Sequence, residues 1–141
     1  MATDPPADLT LAPINGEPRT IANWVTTFQL AAVVLDPYTN ESSWILATAA
    51  RILEGLRGSD ARVNFLVTAD DSDTKVFLGP LVEEFLVFTD PERMAVKALG
   101  LTELPAFLFI RVDGTVVAAA EGWTAGSWRS VAQSSPRRPR G

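Results

Sequence analysis

Val33-Val34-Leu35-Asp36-Pro37-Tyr38-Thr39-Asn40-Glu41-Ser42 is the stretch on which the reading of this chain turns. Its first residues close an apolar run from Leu30 to Leu35. A run of that length with no polar alternation predicts a strand buried on both faces. Asp36-Pro37 turns the chain, and a helical pattern follows. Ile45, Leu46, Ala49, Ile52, Leu53 and Leu56 fall on one stripe, so a helix is expected with Ser42 or Ser43 as its cap and Gly58 as its stop.

Upstream, residues to about Pro18 are polar and proline-rich, with Leu9-Thr10-Leu11 as a candidate edge strand. Apolar residues at Ile21, Trp24, Val25 and Phe28 have amphipathic helical spacing. Downstream, Arg62 to Thr68 reads as a second buried strand. Asp70-Asp71-Ser72-Asp73-Thr74 is an acidic loop able to cap a helix at Thr74, and Gly79-Pro80 stops or kinks that helix. Phe85 to Phe88 is a short strand candidate. Pro91 suits a first helical turn, and Glu92 to Leu99 continues that helix up to Gly100. Ala106 to Val112 and Thr115 to Ala120 are strands joined by Asp113-Gly114, a strong hairpin signal. A last helix is expected over Ala125 to Gln133, and a disordered basic tail over 134–141. Strands alternating with helices, then a hairpin, predict an α/β protein. Its mixed central sheet has helices on both faces and a C-terminal β-hairpin. The expected divisions are an N-terminal segment 1–18, one domain over 19–133, and the tail.

Composition narrows the chemistry. A chain of 141 residues, 47% hydrophobic and 21% charged, suits one globular domain. No apolar run reaches the ~20 residues that span a bilayer. Met1-Ala2-Thr3-Asp4-Pro5-Pro6 lacks a basic and then apolar leader, so a cytoplasmic protein is expected. The net charge of −5 would be more negative still without Arg137, Arg138 and Arg140, which argues against nucleic acid as a partner. With no histidine and no cysteine, a Ser/His/Asp set is impossible and zinc and copper lose their preferred ligands. No phosphate-cradling Gly-x-x-x-x-Gly-Lys occurs, and neither Lys75 nor Lys97 sits beside an activating motif. No cofactor is expected.

Three pieces resemble the thioredoxin-like superfamily, from about Thr20 to Val131. Val33 to Ser42 resembles the family's strand-turn-helix bearing Trp-Cys-Gly-Pro-Cys, with Tyr38 in the aromatic position and Thr39 and Ser42 in the two cysteine positions. Leu104-Pro105-Ala106-Phe107-Leu108-Phe109-Ile110 resembles the loop with a cis proline that faces the family's active site. Phe85 to Pro91 with Lys97 to Leu101 resembles the insertion of the TlpA-like and peroxiredoxin branches. The resemblance implies a three-layer fold, and a binding face made of Tyr38, Thr39, Asn40, Glu41, Ser42, Leu104 and Pro105.

Thioredoxin-type chemistry needs a thiolate at a helix start, where the pKa is lowered and the sulfur attacks a disulfide. Thr39 and Ser42 cannot do this, so disulfide reductase, isomerase and peroxidase activities are not expected. Two readings stay open. One is a non-catalytic binding or accessory protein, taking a protein or peptide partner at the Tyr38/Thr39/Pro105 face. The alternative is a thiol-cofactor-dependent transferase or reductase whose Thr39 or Ser42 orients a low-molecular-weight thiol. For these two hydroxyls, plain helix capping competes with that role. Glu41 suits a helix N-terminus by charge more than acid–base work. Tyr38 is either packed or an exposed platform. Trp44, Trp123 and Trp128 are read as packing residues, and Asp70, Asp71 and Asp73 as a solvated helix cap rather than a cation loop.

Overall fold

The computed structural model describes residues 2–14, 16–26, 28–57 and 61–133. The expectations for the tail 134–141 and for a helix stop at Gly58 lie outside those residues. In chain order the elements are β1 (Thr10–Pro13), β2 (Arg19–Thr20), α1 (Ile21–Trp24), β3 (Gln29–Leu35), α2 (Asn40–Leu56), β4 (Ala61–Val67) and α3 (Asp71–Leu78). There follow α4 (Leu81–Glu84), β5 (Leu86–Thr89), α5 (Met94–Ala98), β6 (Ala106–Ile110), β7 (Val116–Glu121) and α6 (Ala125–Gln133).

The strands form one sheet in the order β2-β1-β5-β4-β3-β6-β7. β3, β4 and β5 are parallel, while β6 runs antiparallel to β3, and β7 antiparallel to β6. The apolar run of β3 explains its central place. Every residue from Leu30 to Leu35 is buried, and successive side chains enter opposite cores. Ala31, Val33 and Leu35 join one apolar cluster with Ile45, Ala49 and Leu53 of α2 and Trp128 and Val131 of α6. Leu30, Ala32 and Val34 join the other, with Ile21 and Trp24 of α1 and Ala95 and Val96 of α5. β6 repeats the division, sending Phe107 and Phe109 one way and Leu108 and Ile110 the other. Phe107 packs on Trp128 at 5.3 Å between ring centres, and Trp24 packs edge-on against Phe88 at 4.9 Å. Among the described residues no helix is long and apolar enough to cross a membrane.

Several local expectations are corrected. The cap of α2 is Thr39, in extended conformation with its hydroxyl accepting from Ser42 N–H; Ser42 itself lies inside the first turn. α3 is capped by Asp70, whose carboxylate accepts the Asp73 N–H at 2.8 Å, while Thr74 is buried within the helix. At Gly79 the chain takes φ 58°, where a residue without Cβ is at ease; α3 stops there and α4 begins anew. α1 covers only Ile21–Trp24, because Val25 and Thr26 turn away from the expected helix. β1 is not an edge strand, since the two-residue β2 lies outside it. α5 starts three residues later than Pro91 suggests. The Asp90 carboxylate takes the N–H groups of Ala95 and Val96, and the chain enters the helix through Arg93. β6 and β7 do pair antiparallel, with a register break at Phe109/Ile110, and α6 follows them.

Candidate functional site

The site is built where β3 ends. Asp36 follows Leu35 and is only 5% exposed, so its carboxylate needs partners. It has two: Oδ1 accepts the Tyr38 N–H at 3.0 Å, and Oδ2 forms an ion pair with Arg93. Its backbone closes the turn, with the Asp36 C=O accepting the Thr39 N–H at 3.1 Å. The Asp36 N–H donates to Ser42 Oγ at 3.0 Å, which holds Ser42 inward.

The two hydroxyls face each other. Thr39 Oγ1 lies 3.0 Å from Ser42 Oγ and 3.0 Å from the Asp36 carbonyl oxygen, and it accepts the Ser42 N–H at 3.4 Å. Thr39 Oγ1 has one proton to share between these two oxygens, and Ser42 Oγ accepts from the Asp36 N–H. Ser42 is fully buried, whereas Thr39 is half-buried. The pair caps the helix and ties the turn. Asn40 is exposed at the start of α2, and Glu41 follows it.

Tyr38 stands outside this ring, 70% exposed. Its hydroxyl donates to Asp73 Oδ2 at 2.7 Å, linking the turn to the first turn of α3. That hydrogen bond holds the phenol pKa above its ordinary value. Desolvation and the charges of Asp73, Asp70 and Asp36 push the same way.

Leu104 and Pro105 arrive from the other side. Ala106 pairs with Val34, so the residues just before β6 and just after β3 emerge at one end of neighbouring strands. The Leu104–Pro105 peptide bond is cis; Pro105 is buried and Leu104 half-buried. Glu121, opposite Ala106 on β7, fixes this loop: its Oε1 accepts from the Thr102 N–H at 2.6 Å, the Thr102 hydroxyl at 3.1 Å and the Glu103 N–H at 3.4 Å. Burial raises the Glu121 pKa, but hydrogen bonds to the carboxylate, those from Thr102 and Glu103 among them, outweigh it and hold the group below the ordinary glutamate value.

Two aromatics differ from expectation. Trp44 is 77% exposed, because Ile45, Ala49 and Leu53 define the inward stripe of α2 and Trp44 falls outside it. Trp123 is 42% exposed and leans edge-on against the buried Trp128 at 5.0 Å. Between them lies a hollow of about 310 Å³ lined by Trp44, Ile45, Thr48 and Trp123. Among the described residues no group of three or more acidic side chains could hold a metal ion. Arg93, Asp73 and Glu121, which organise the site from distant elements, carry no signal near the motif. Asp36 stands inside it and was readable only as a turn residue.

No protein-family model and no curated protein matches the chain. Solved structures do. One is a secreted disulfide oxidoreductase of Mycobacterium tuberculosis homologous to E. coli DsbE, 14% identical, covering 91% of this chain and 96% of that one, with TM-score 0.69. A putative thiol:disulfide interchange protein DsbE from Chlorobium tepidum is 16% identical, covers 94% of each chain and has TM-score 0.74. An exposed lipoprotein thioredoxin of Streptococcus pneumoniae is 17% identical, covering 91% of this chain and 99% of that one, with TM-score 0.70. The secreted and exposed proteins among these overturn the expectation of a cytoplasmic chain. That expectation rested on a leader pattern missing from Met1–Pro6, and a missing pattern carries no address. At these identities the likeness concerns architecture: the chain has the thioredoxin-like fold, with a mixed central sheet and flanking helices, and contains no cysteine.

Proposed function

We propose that this is a non-catalytic binding or accessory protein of the thioredoxin-like superfamily, of the TlpA-like or peroxiredoxin-like branch. It engages a protein or peptide through Tyr38, Thr39, Asn40, Glu41 and Leu104, with the buried Ser42 and Pro105 shaping that face from beneath and Thr39 and Ser42 standing where relatives carry cysteines. The observation that carries this reading is the closed contact ring of Thr39, Ser42 and the Asp36 backbone. It leaves the helix start rigid, with an exposed aromatic ring beside it and no nucleophile within it. A thiol-orienting role would require a ligand sulfur to break one of those internal bonds, and Ser42 is closed to solvent. Binding at the face requires neither. The half-buried Leu104 and exposed Tyr38 offer apolar surface on either side of the turn for an extended segment.

The test is a peptide-display selection on the full chain, repeated with Tyr38→Ala and Leu104→Glu, beside insulin-reduction and thiol-titration measurements. Enrichment of a peptide class lost in both variants, with no insulin turnover and no thermal stabilisation by cellular thiols, is the expected result. Insulin turnover by the cysteine-free chain, or saturable stabilisation by one thiol, would overturn the reading.

A further inference from the structure

Trp44 and Trp123 stay open to solvent although the core makes no use of that exposure, and they flank the same hollow. Ile45, itself buried, is the floor of this space, and Thr48 completes its lining. None of the four carries a charge. The spacing of Trp44, Thr48 and Arg51 puts them on one outer face of α2. Helical side chains lean toward the N-terminus, and Arg51 follows that rule: its Nη2 donates to Thr48 Oγ1 at 3.4 Å. The contact holds a guanidinium at the rim of the hollow. Glu54, one turn further on, is paired with Arg57, and among the described residues no carboxylate pairs with Arg51. In a chain of net charge −5, the one charged group set beside these two indoles is positive.

We infer that the hollow binds a small aromatic carboxylate, its ring seated between Trp44 and Trp123 and its acid group on Arg51. Size, ring and charge each narrow the occupant. Ligand pockets run from about 300 to 1,000 Å³, so a space of about 310 Å³ suits a molecule of one or two rings. Indoles pack best against another aromatic system, in offset or edge-on geometry. A guanidinium matches a carboxylate through two parallel N–H groups, and after Thr48 takes one donor enough remain for that fork. Two tryptophans alone could hold a quaternary ammonium, but the guanidinium beside them repels it. None of these residues belongs to the proposed peptide face, so the two readings stand or fall separately.

The test is calorimetric titration of the full chain with naphthoate, beside naphthamide and choline as uncharged and cationic counterparts. Indole N–H signals of nitrogen-15-labelled protein locate the site. Naphthoate should bind saturably with Kd below about 1 mM, and more tightly than either counterpart. The signals of Trp44 and Trp123 should move, while that of Trp24, in the other core, should stay. Trp44→Ala, at an exposed position, should weaken binding about tenfold or more. Arg51→Gln should abolish the acid's advantage over the amide and leave amide binding unchanged. Circular dichroism checks that both variants fold. Tyr38→Ala should bind as the parent does; loss there would place the ligand elsewhere and overturn the inference. So would the absence of saturable binding, equal affinity for acid and amide, or tighter binding of choline. Two further results would give the hollow to a protein instead and equally overturn it. One is binding only of a longer peptide with tryptophan beside glutamate; the other is Trp44-dependent self-association in sedimentation.

Discussion

Arg93 adopts φ 59°, a left-handed backbone for a residue with a Cβ, and among the described residues it is the only non-glycine to do so. That conformation costs on the order of 1–2 kcal/mol for an L-residue. It is kept because it sets the guanidinium against Asp36, a carboxylate only 5% exposed whose burial calls for a partner. Two substitutions separate strain from charge. Both Arg93→Gly and Arg93→Ala lose the ion pair, but glycine relaxes the backbone, so Arg93→Gly should be the more stable of the two by about 1 kcal/mol in urea denaturation. The reverse order would mean the left-handed turn is absent. Tyr38 gives a second residue-level test, since the chain has a single tyrosine and phenolate absorbance near 295 nm reads it alone. Its midpoint should lie above the ordinary value and fall in Asp73→Ala, because the hydrogen bond and the nearest carboxylate go together. An unchanged midpoint would remove Asp73 as the cause.

Among the elements, the loop before β6 depends on Glu121 of β7. The folded pKa of this carboxylate lies below its unfolded value. Its contribution to stability is therefore present above the unfolded pKa and lost as pH falls through the folded one. Glu121→Gln should lower the thermal midpoint at pH 7 and approach the wild-type midpoint below pH ~4, near the reference glutamate pKa. A constant gap across that range would rule out ionisation as the source.

The sequence made this site half legible. The β3-turn-α2 segment could be read because apolar continuity and helical periodicity are local properties of Leu30–Leu35 and Ile45–Leu56. Pro105 could be read because its type limits the backbone. The cap was expected at Ser42 or Ser43, three or four residues late, since Thr39, Ser42 and Ser43 share the same capping chemistry and only the backbone angles distinguish them. Arg93, Asp73 and Glu121 were not legible: each acts across a strand order that exists only once the sheet has formed. Trp44 and Trp123 misled because large apolar residues are usually packed, and nothing local reveals a face left open.

For the whole molecule, the scaffold and the electron-transfer chemistry are separable, and this chain has the first without the nucleophiles for the second. The oxygens of Thr39 and Ser42 are already 3.0 Å apart. A disulfide needs sulfurs at about 2.05 Å with Cβ atoms 3.5–4.5 Å apart, so little backbone movement stands between this turn and a redox pair. Thr39→Cys/Ser42→Cys should lose both free thiols on mild oxidation, as counted with Ellman's reagent, and should show insulin turnover where the parent shows none. Two thiols that persist under oxidant would mean the turn differs from the one described.

The division of β3 between two cores has a consequence for how this protein can change over time. Its odd- and even-numbered side chains feed separate clusters, while partners on both sides hold its register. Inserting or deleting one codon inside it would exchange the two sets and send each into a space shaped for the other. Variation in length is thus barred from this strand and confined to the connections around it. That constraint falls on residues buried from Leu30 to Leu35, beneath the surface rather than on it.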